Sequence, residues 1–177
     1  MKPGFDIVTE APGWVQGLDL ASEADLDALV DKVVDALPAA VAQGLDPPLE
    51  DGAGFALLLA DDDRLAALNS EFRDKSGPTN VLSFPGDSPD HLGDIAIALQ
   101  SLMREAAERD ILPQAHFAHL LLHGILHLYG YDHETDDEAE DMESMETVVL
   151  AGLGIADPYA EPGAGEIPSR PSTGKEA

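Results

Sequence analysis

The sequence predicts one mixed domain of helices and short strands assembled around a buried, histidine-bearing helix. Three observations lead there. Short apolar runs at Phe55–Ala60, Asn80–Phe84 and Gly93–Leu99 sit between Gly, Pro and polar residues, as strands do. Apolar residues recur at helical spacing between those runs. The stretch from Phe117 to Leu128 is apolar nearly all round, which marks a helix with no solvated face. A chain of 177 residues with 44% hydrophobic content is long enough for one well-formed core and short for two.

Phe5–Thr9 reads as a first strand. Ser22-Glu23-Ala24-Asp25 has the form of a capping box, and Leu26, Leu29, Val30, Val33, Val34 and Leu37 continue at helical spacing, so an amphipathic helix is expected to end near Gly44. The strand Phe55–Ala60 follows Gly52 and Gly54. Asp61 or Asp62 then caps a helix carrying Leu65 and Leu68 to about Phe72. The strand Asn80–Phe84 is bounded by Pro78 and Pro85, and the strand Gly93–Leu99 leads into a helix over Gln100–Arg109. Pro113 suits the first turn of the buried helix. Glu134, Asp136, Asp137 and Glu138 lie where a helix N-terminus favours negative charge, ahead of Ala139, Met142, Met145 and Val149 on one face; dipole complementation accounts for them without a second metal site. The domain is expected to span residues 1–156. From Asp157 to Ala177, Pro158, Pro162, Pro168 and Pro171 with Gly163, Gly165 and Gly174 indicate a disordered tail.

The polar exceptions in the buried helix are His116, His119, His123 and His127, all on one stripe. His123 and His127 are one turn apart, so both rings can reach one ion, and His133 follows six residues later, after a glycine that can end the helix and turn the chain back. Three neutral imidazoles leave a fourth position of zinc open for water, the arrangement of a catalytic site. No cysteine is present to close it. One Zn2+ per chain is expected on His123, His127 and His133. His116 and His119 are then assigned to hydrogen bonding behind the ligands or within the core.

Nine Lys and Arg against 35 Asp and Glu give a net charge of -26, which argues against broad phosphate-tracking affinity. Any RNA binding must come from a local basic cluster, from the metal or through a partner. The nearest basic cluster is Arg73 with Lys75. The absence of cysteine excludes disulfides, the N-terminus lacks the basic-then-apolar order of a signal peptide, and no apolar run approaches the ~20 residues of a membrane span. A cytoplasmic protein is expected.

His127-Leu128-Tyr129-Gly130-Tyr131-Asp132-His133 matches the second half of the metzincin protease signature. The first half departs, because position 124 is Gly where a protease carries its general-base Glu. An ordered set of further motifs fits a different family: Leu68-Asn69 with Arg73 after it, Pro78-Thr79-Asn80-Val81-Leu82-Ser83-Phe84-Pro85, Leu92-Gly93-Asp94-Ile95, His116-x-x-His119, and His123 through His133 into the acidic helix. With these the chain resembles the YbeY endoribonuclease family over roughly residues 55 to 150. The resemblance implies an α+β domain, a small mostly parallel sheet packed against helices, and zinc held by the three histidines. It implies cleavage of single-stranded RNA in small-subunit ribosomal RNA maturation, including 3′-end processing, and in ribosome quality control. His123 and Arg73 become the residues important for activity, and a small-subunit ribosomal protein or an assembly GTPase becomes the expected partner. Two nucleophiles stay open: water activated at the metal, or the substrate 2′-hydroxyl. Two other readings stand beside the nuclease, a ribosome-assembly binding factor with a mainly structural zinc and, disfavoured by Gly124, a metallopeptidase.

Overall fold

The computed structural model describes residues 2–45, 48–73 and 79–160, with the side chain of Arg73 outside that set. In chain order the elements are β1 (Gly4–Thr9), α1 (Trp14–Gly17), α2 (Glu23–Asp35), β2 (Gly54–Ala60), α3 (Asp62–Arg73), β3 (Val81–Ser88), β4 (His91–Ala98), α4 (Leu99–Glu108), α5 (Pro113–Leu128) and α6 (Asp136–Gly152). Among the described residues the strands form one four-stranded sheet in the order β1-β2-β4-β3. β1, β2 and β4 are parallel, with Ile7 opposite Leu57 and Leu57 opposite Ile95, while β3 runs antiparallel to β4 at the edge. This is the α+β architecture with a small, mostly parallel sheet.

Alternation along the strands sorts the core into two faces. Phe55, Leu57, Leu59, Ile95 and Ile97 pack in the larger cluster with Phe117, Leu121 and Ile125 of α5, so the histidine-bearing helix lies on the sheet and is flanked by α2, α4 and α6. Ala60, Ala96 and Ala98 form a smaller cluster with Leu65 and Leu68 of α3 on the opposite face. Among the described residues no helix is long and apolar enough to cross a membrane.

Several boundaries differ from the sequence reading, each for a local reason. Helix α2 has the expected cap, with the Asp25 amide donating to Ser22 Oγ at 3.3 Å, but it stops at Asp35 and gives way to a 3-10 turn over Ala39–Gly44 instead of continuing to Gly44. Pro38 explains this, since its ring excludes Leu37 from helical geometry and cannot donate to residue 34. Strand β3 continues through Pro85 to Ser88 rather than ending at Phe84. The Ala98 amide donates to Asn80 O at 3.0 Å, so residues 80, 82 and 84 face β4 with their backbone groups and Pro85 falls on the outer side, where its missing N–H costs the ladder nothing. Strand β4 begins at His91, two residues early. Gly93 within it has φ +144°, and a Cβ there would stand 2.4 Å from Phe84 O.

Asp61, not Asp62, caps α3, its Oδ1 accepting from the Arg64 amide at 2.8 Å; Asp62 instead accepts from the Ser101 amide at 2.9 Å and satisfies the start of α4. Pro113 opens α5 as expected. The four-residue α1 was too short to leave a periodic signal. It buries Trp14, whose indole donates to Ala60 O at 3.2 Å and packs edge-on against Phe117. Past α6 the chain is tied to the domain as far as Tyr159. Arg109 donates to Pro158 O at 2.8 Å, and Asp157 Oδ1 accepts from Thr147 Oγ1 at 3.2 Å and the Tyr159 amide at 2.9 Å. Residues 161–177 of the expected tail lie outside the described residues.

Candidate metal centre

The C-terminal end of α5 is built by a hydrogen-bonded reversal. The Gly130 amide donates to His127 O at 3.0 Å and the Tyr131 amide donates to Leu126 O at 3.0 Å, with Gly130 at φ +96°, which together make a Schellman motif. The motif stops the helix one turn after His123 and swings His133 back over it. The ring centroid of His133 lies 5.6 Å from that of His123 and 5.0 Å from that of His127. One ligand atom from each of the three rings lies within 4.8 Å of the others.

Hydrogen bonds fix two of the tautomers. His127 Nδ1 stands 2.9 Å from Tyr131 O, an oxygen that can only accept, so Nδ1 carries the proton and Nε2 the lone pair. His123 Nδ1 stands 2.6 Å from Glu146 Oε1. Burial pushes the Glu146 carboxyl upward, but hydrogen bonds from His119, His123 and Tyr159 outweigh it and bring it to about 2, so at neutral pH it is an acceptor and His123 Nδ1 must donate. The two Nε2 atoms are 3.1 Å apart, each with its lone pair available. That contact is no hydrogen bond, because neither nitrogen has a proton to give. It is close to the ~3.3 Å between two nitrogens at about 2.0–2.1 Å from one tetrahedral ion. The donor set therefore fits a metal. Burial first, and then the charges of His123 and His133, lower His127 to about 4, which keeps it a neutral ligand at physiological pH.

The other two histidines do not join them. His119 turns Nε2 toward Glu146 Oε2 at 3.1 Å and Tyr159 Oη at 3.3 Å. His116 is 2% exposed, and among the described residues neither of its ring nitrogens has a hydrogen-bond partner; the nearest carboxylate, Glu105 Oε2, is 3.7 Å from Nε2. Arg73 closes α3, and its side chain, like the whole of Lys75, lies outside the described residues. Gly124 faces the sheet: a Cβ there would stand 2.9 Å from Ile95 Cγ2 and 3.2 Å from Ser83 Oγ, and Ser83 Oγ donates to Gly124 O at 3.2 Å. A protease-like Glu at this position has no room.

The three rings open into a cleft of about 940 Å³ whose far wall is Asn69, Thr79, Asn80 and the edge strand β3. Asn80 is held in that wall by Glu105, whose two oxygens accept from Nδ2 at 2.8 and 3.0 Å. Sequence reading missed Glu105, Glu146 and Tyr159. Glu146 left a signal: it occupies the stripe of Met142, Val149 and Leu150, where an apolar residue is expected, and is 0% exposed.

A helix lying on a mixed sheet, offering two imidazole lone pairs with a third ring from the turn that ends it, defines a zincin-like arrangement of three histidines that could hold a metal ion. Residues 19–154 match the family model described as Endoribonuclease YbeY. An Endoribonuclease YbeY of Allorhizobium ampelinum is 45% identical over 174 residues, 94% of this chain and 98% of that relative. Relatives of the same description from Azorhizobium caulinodans and Maricaulis maris are 45% identical over 91% of this chain and 99% of theirs, and 54% identical over 62% of this chain and 71% of theirs. The chain belongs to the YbeY endoribonuclease family.

Proposed function

We propose that this protein is a zinc-dependent endoribonuclease that cleaves single-stranded RNA in small-subunit ribosomal RNA maturation, 3′-end processing included, and in ribosome quality control, in the cytoplasm. The observation that carries the reading is the pair of Nε2 lone pairs held 3.1 Å apart beside an open cleft, in a chain whose relatives are named endoribonucleases. A divalent ion bound there supplies Lewis acidity toward a phosphoryl oxygen and lowers the pKa of water.

His123, His127 and His133 hold the ion, one per chain. Arg73 stabilises the negative charge that develops on phosphorus in the transition state. Support for Arg73 is its position: Asn69, one turn earlier on α3, lines the cleft. Arg73→Ala is expected to keep fold and zinc content while cleavage falls by ~100-fold or more, and Arg73→Lys to recover part, because an ammonium lacks the guanidinium fork. Wild-type cleavage by Arg73→Ala removes it from the mechanism. The -26 charge favours recruitment by a basic small-subunit ribosomal protein or an assembly GTPase, with salt-sensitive binding.

One observation favours a second reading, a ribosome-assembly binding factor whose zinc is mainly structural. Among the described residues lining the cleft there is no lysine or arginine, and Asp132 and Glu134 stand on its rim. Comparing cleavage of a single-stranded ribosomal RNA fragment by zinc-loaded and zinc-stripped protein, with casein as peptidase control, separates the two. Metal-dependent RNA cleavage supports the nuclease; no cleavage by fully metallated wild type supports the binding factor.

A further inference from the structure

Behind the histidine cluster, on the side away from the cleft, one carboxylate is fully buried among three donors. Glu146 Oε1 accepts from His123 Nδ1 at 2.6 Å; Oε2 accepts from His119 Nε2 at 3.1 Å and from the Tyr159 hydroxyl. An ionised carboxylate with no exposure is costly unless its lone pairs are satisfied, and here three donors from three parts of the chain satisfy them. They come from two turns of α5 and from the segment beyond α6, which Arg109, Thr147 and Asp157 tie down around Tyr159. Glu146 does not line the cleft, so it touches neither substrate nor solvent.

We propose that Glu146 is a positioning residue for the metal centre: it holds His123 in the Nδ1–H tautomer with Nε2 turned toward His127, and Tyr159 completes that grip from the C-terminal segment. The inference rests on the three-histidine reading and deepens it. Neutral imidazole in water does not favour the Nδ1–H form, so this tautomer needs an acceptor at Nδ1, and Glu146 is the one the structure provides at that atom. His127 obtains the same orientation from a backbone oxygen that no substitution removes. His123 is therefore the ligand whose geometry depends on a side chain.

The test uses full-length Glu146→Gln, which keeps size and polarity, and Tyr159→Phe, which removes one hydroxyl from a residue 43% exposed. Competition of Zn2+ against a chromophoric chelator is expected to show affinity reduced by about 10- to 100-fold in Glu146→Gln and by a smaller factor in Tyr159→Phe. Long-range proton–nitrogen correlation spectra of the metal-free proteins give a second readout. His123 should be an Nδ1–H tautomer in the wild type and shift toward Nε2–H in Glu146→Gln while His127, held by Tyr131 O, keeps its Nδ1 proton; general loosening would release both rings. Glu146→Gln with wild-type Zn2+ affinity and an unchanged His123 tautomer overturns the positioning role and leaves the metal centre standing. A wild type that takes up no Zn2+ overturns both.

Discussion

The two halves of α5 carry the same side chains at the same helical spacing and use them differently. In the N-terminal half, His116 is sealed in the core without a hydrogen-bond partner among the described residues, and His119 spends its Nε2 proton on Glu146 and Tyr159. In the C-terminal half, His123 and His127 spend their Nδ1 protons on Glu146 and Tyr131 O, which leaves both Nε2 lone pairs facing one point. Spacing puts all four rings on one stripe. The acceptor that each ring finds for its proton decides which of them can bind metal.

The largest expected effect breaks the comparison at its strong end. The double substitution His123→Ala, His127→Ala should abolish metal binding, whereas His116→Leu should retain one ion per chain; elemental analysis of both proteins after identical loading measures it. Full metal content in the double variant would remove these residues from the site, and loss of metal in His116→Leu would mean that the two halves are not separable.

A second way to press on the C-terminal half is to restore what a metalloprotease has there. Gly124→Glu forces side-chain atoms into Ile95 and Ser83, so α5 must lift from the sheet, at a cost of at least the ~1–3 kcal/mol typical of overpacking. For a domain of this size that lowers the melting temperature by several degrees, and casein should remain uncleaved. A variant as stable as the wild type would show that the contact is not tight.

How far this difference was legible in the sequence depends on the range of the interaction. The stripe, the glycine turn and His133 are local, and the structure brings His123, His127 and His133 together as that reading expects. The cap at Ser22 is also local and was readable. Pro38 carried a clear local signal too, but the continuing apolar spacing through Leu37 masked it. Pro85 is different: whether a proline fits a strand depends on which strand lies at the edge, and that is settled by the order β1-β2-β4-β3. Glu146, 23 residues from His123, stood out only as a charge in an apolar register; its partner is a matter of how α6 lies on α5. Nothing in a proline- and glycine-rich segment singles out Tyr159.

The halves should also differ in how metal protects them from acid. Burial lowers His127 to about 4 in the metal-free protein, against 6.5 in an unfolded chain, so the unfolded state binds the proton more readily and stability falls as pH drops from about 6.5 toward 4. Bound metal competes with that proton and should shift the loss to lower pH. His116 has no such protection. It too is lowered, by burial first, with Glu105 opposing and His119 and Arg109 reinforcing, so its contribution is also present above 6.5 and lost below. Thermal melts across this pH range should show an acid-sensitive step that zinc diminishes and that His116→Leu diminishes independently of zinc. Identical pH profiles for loaded and stripped protein would contradict the first half of this expectation, and an unchanged profile in His116→Leu the second.

The smallest effect concerns where the support for His123 ends along the chain. Truncation after Ala160 removes residues 161–177, whose proline and glycine content offers too little apolar surface to offset chain entropy, so melting temperature and zinc affinity should not change. Truncation after Ala156 also removes Asp157, Pro158 and Tyr159. It deletes the hydroxyl on Glu146 and the acceptors for Arg109 and Thr147, while all three metal ligands remain. Zinc stoichiometry should therefore hold at one per chain while affinity falls at least as far as in Tyr159→Phe. Equal affinity in the two truncations would mean that Glu146 keeps its place with donors from α5 alone, and the C-terminal segment would then lose its part in the metal centre.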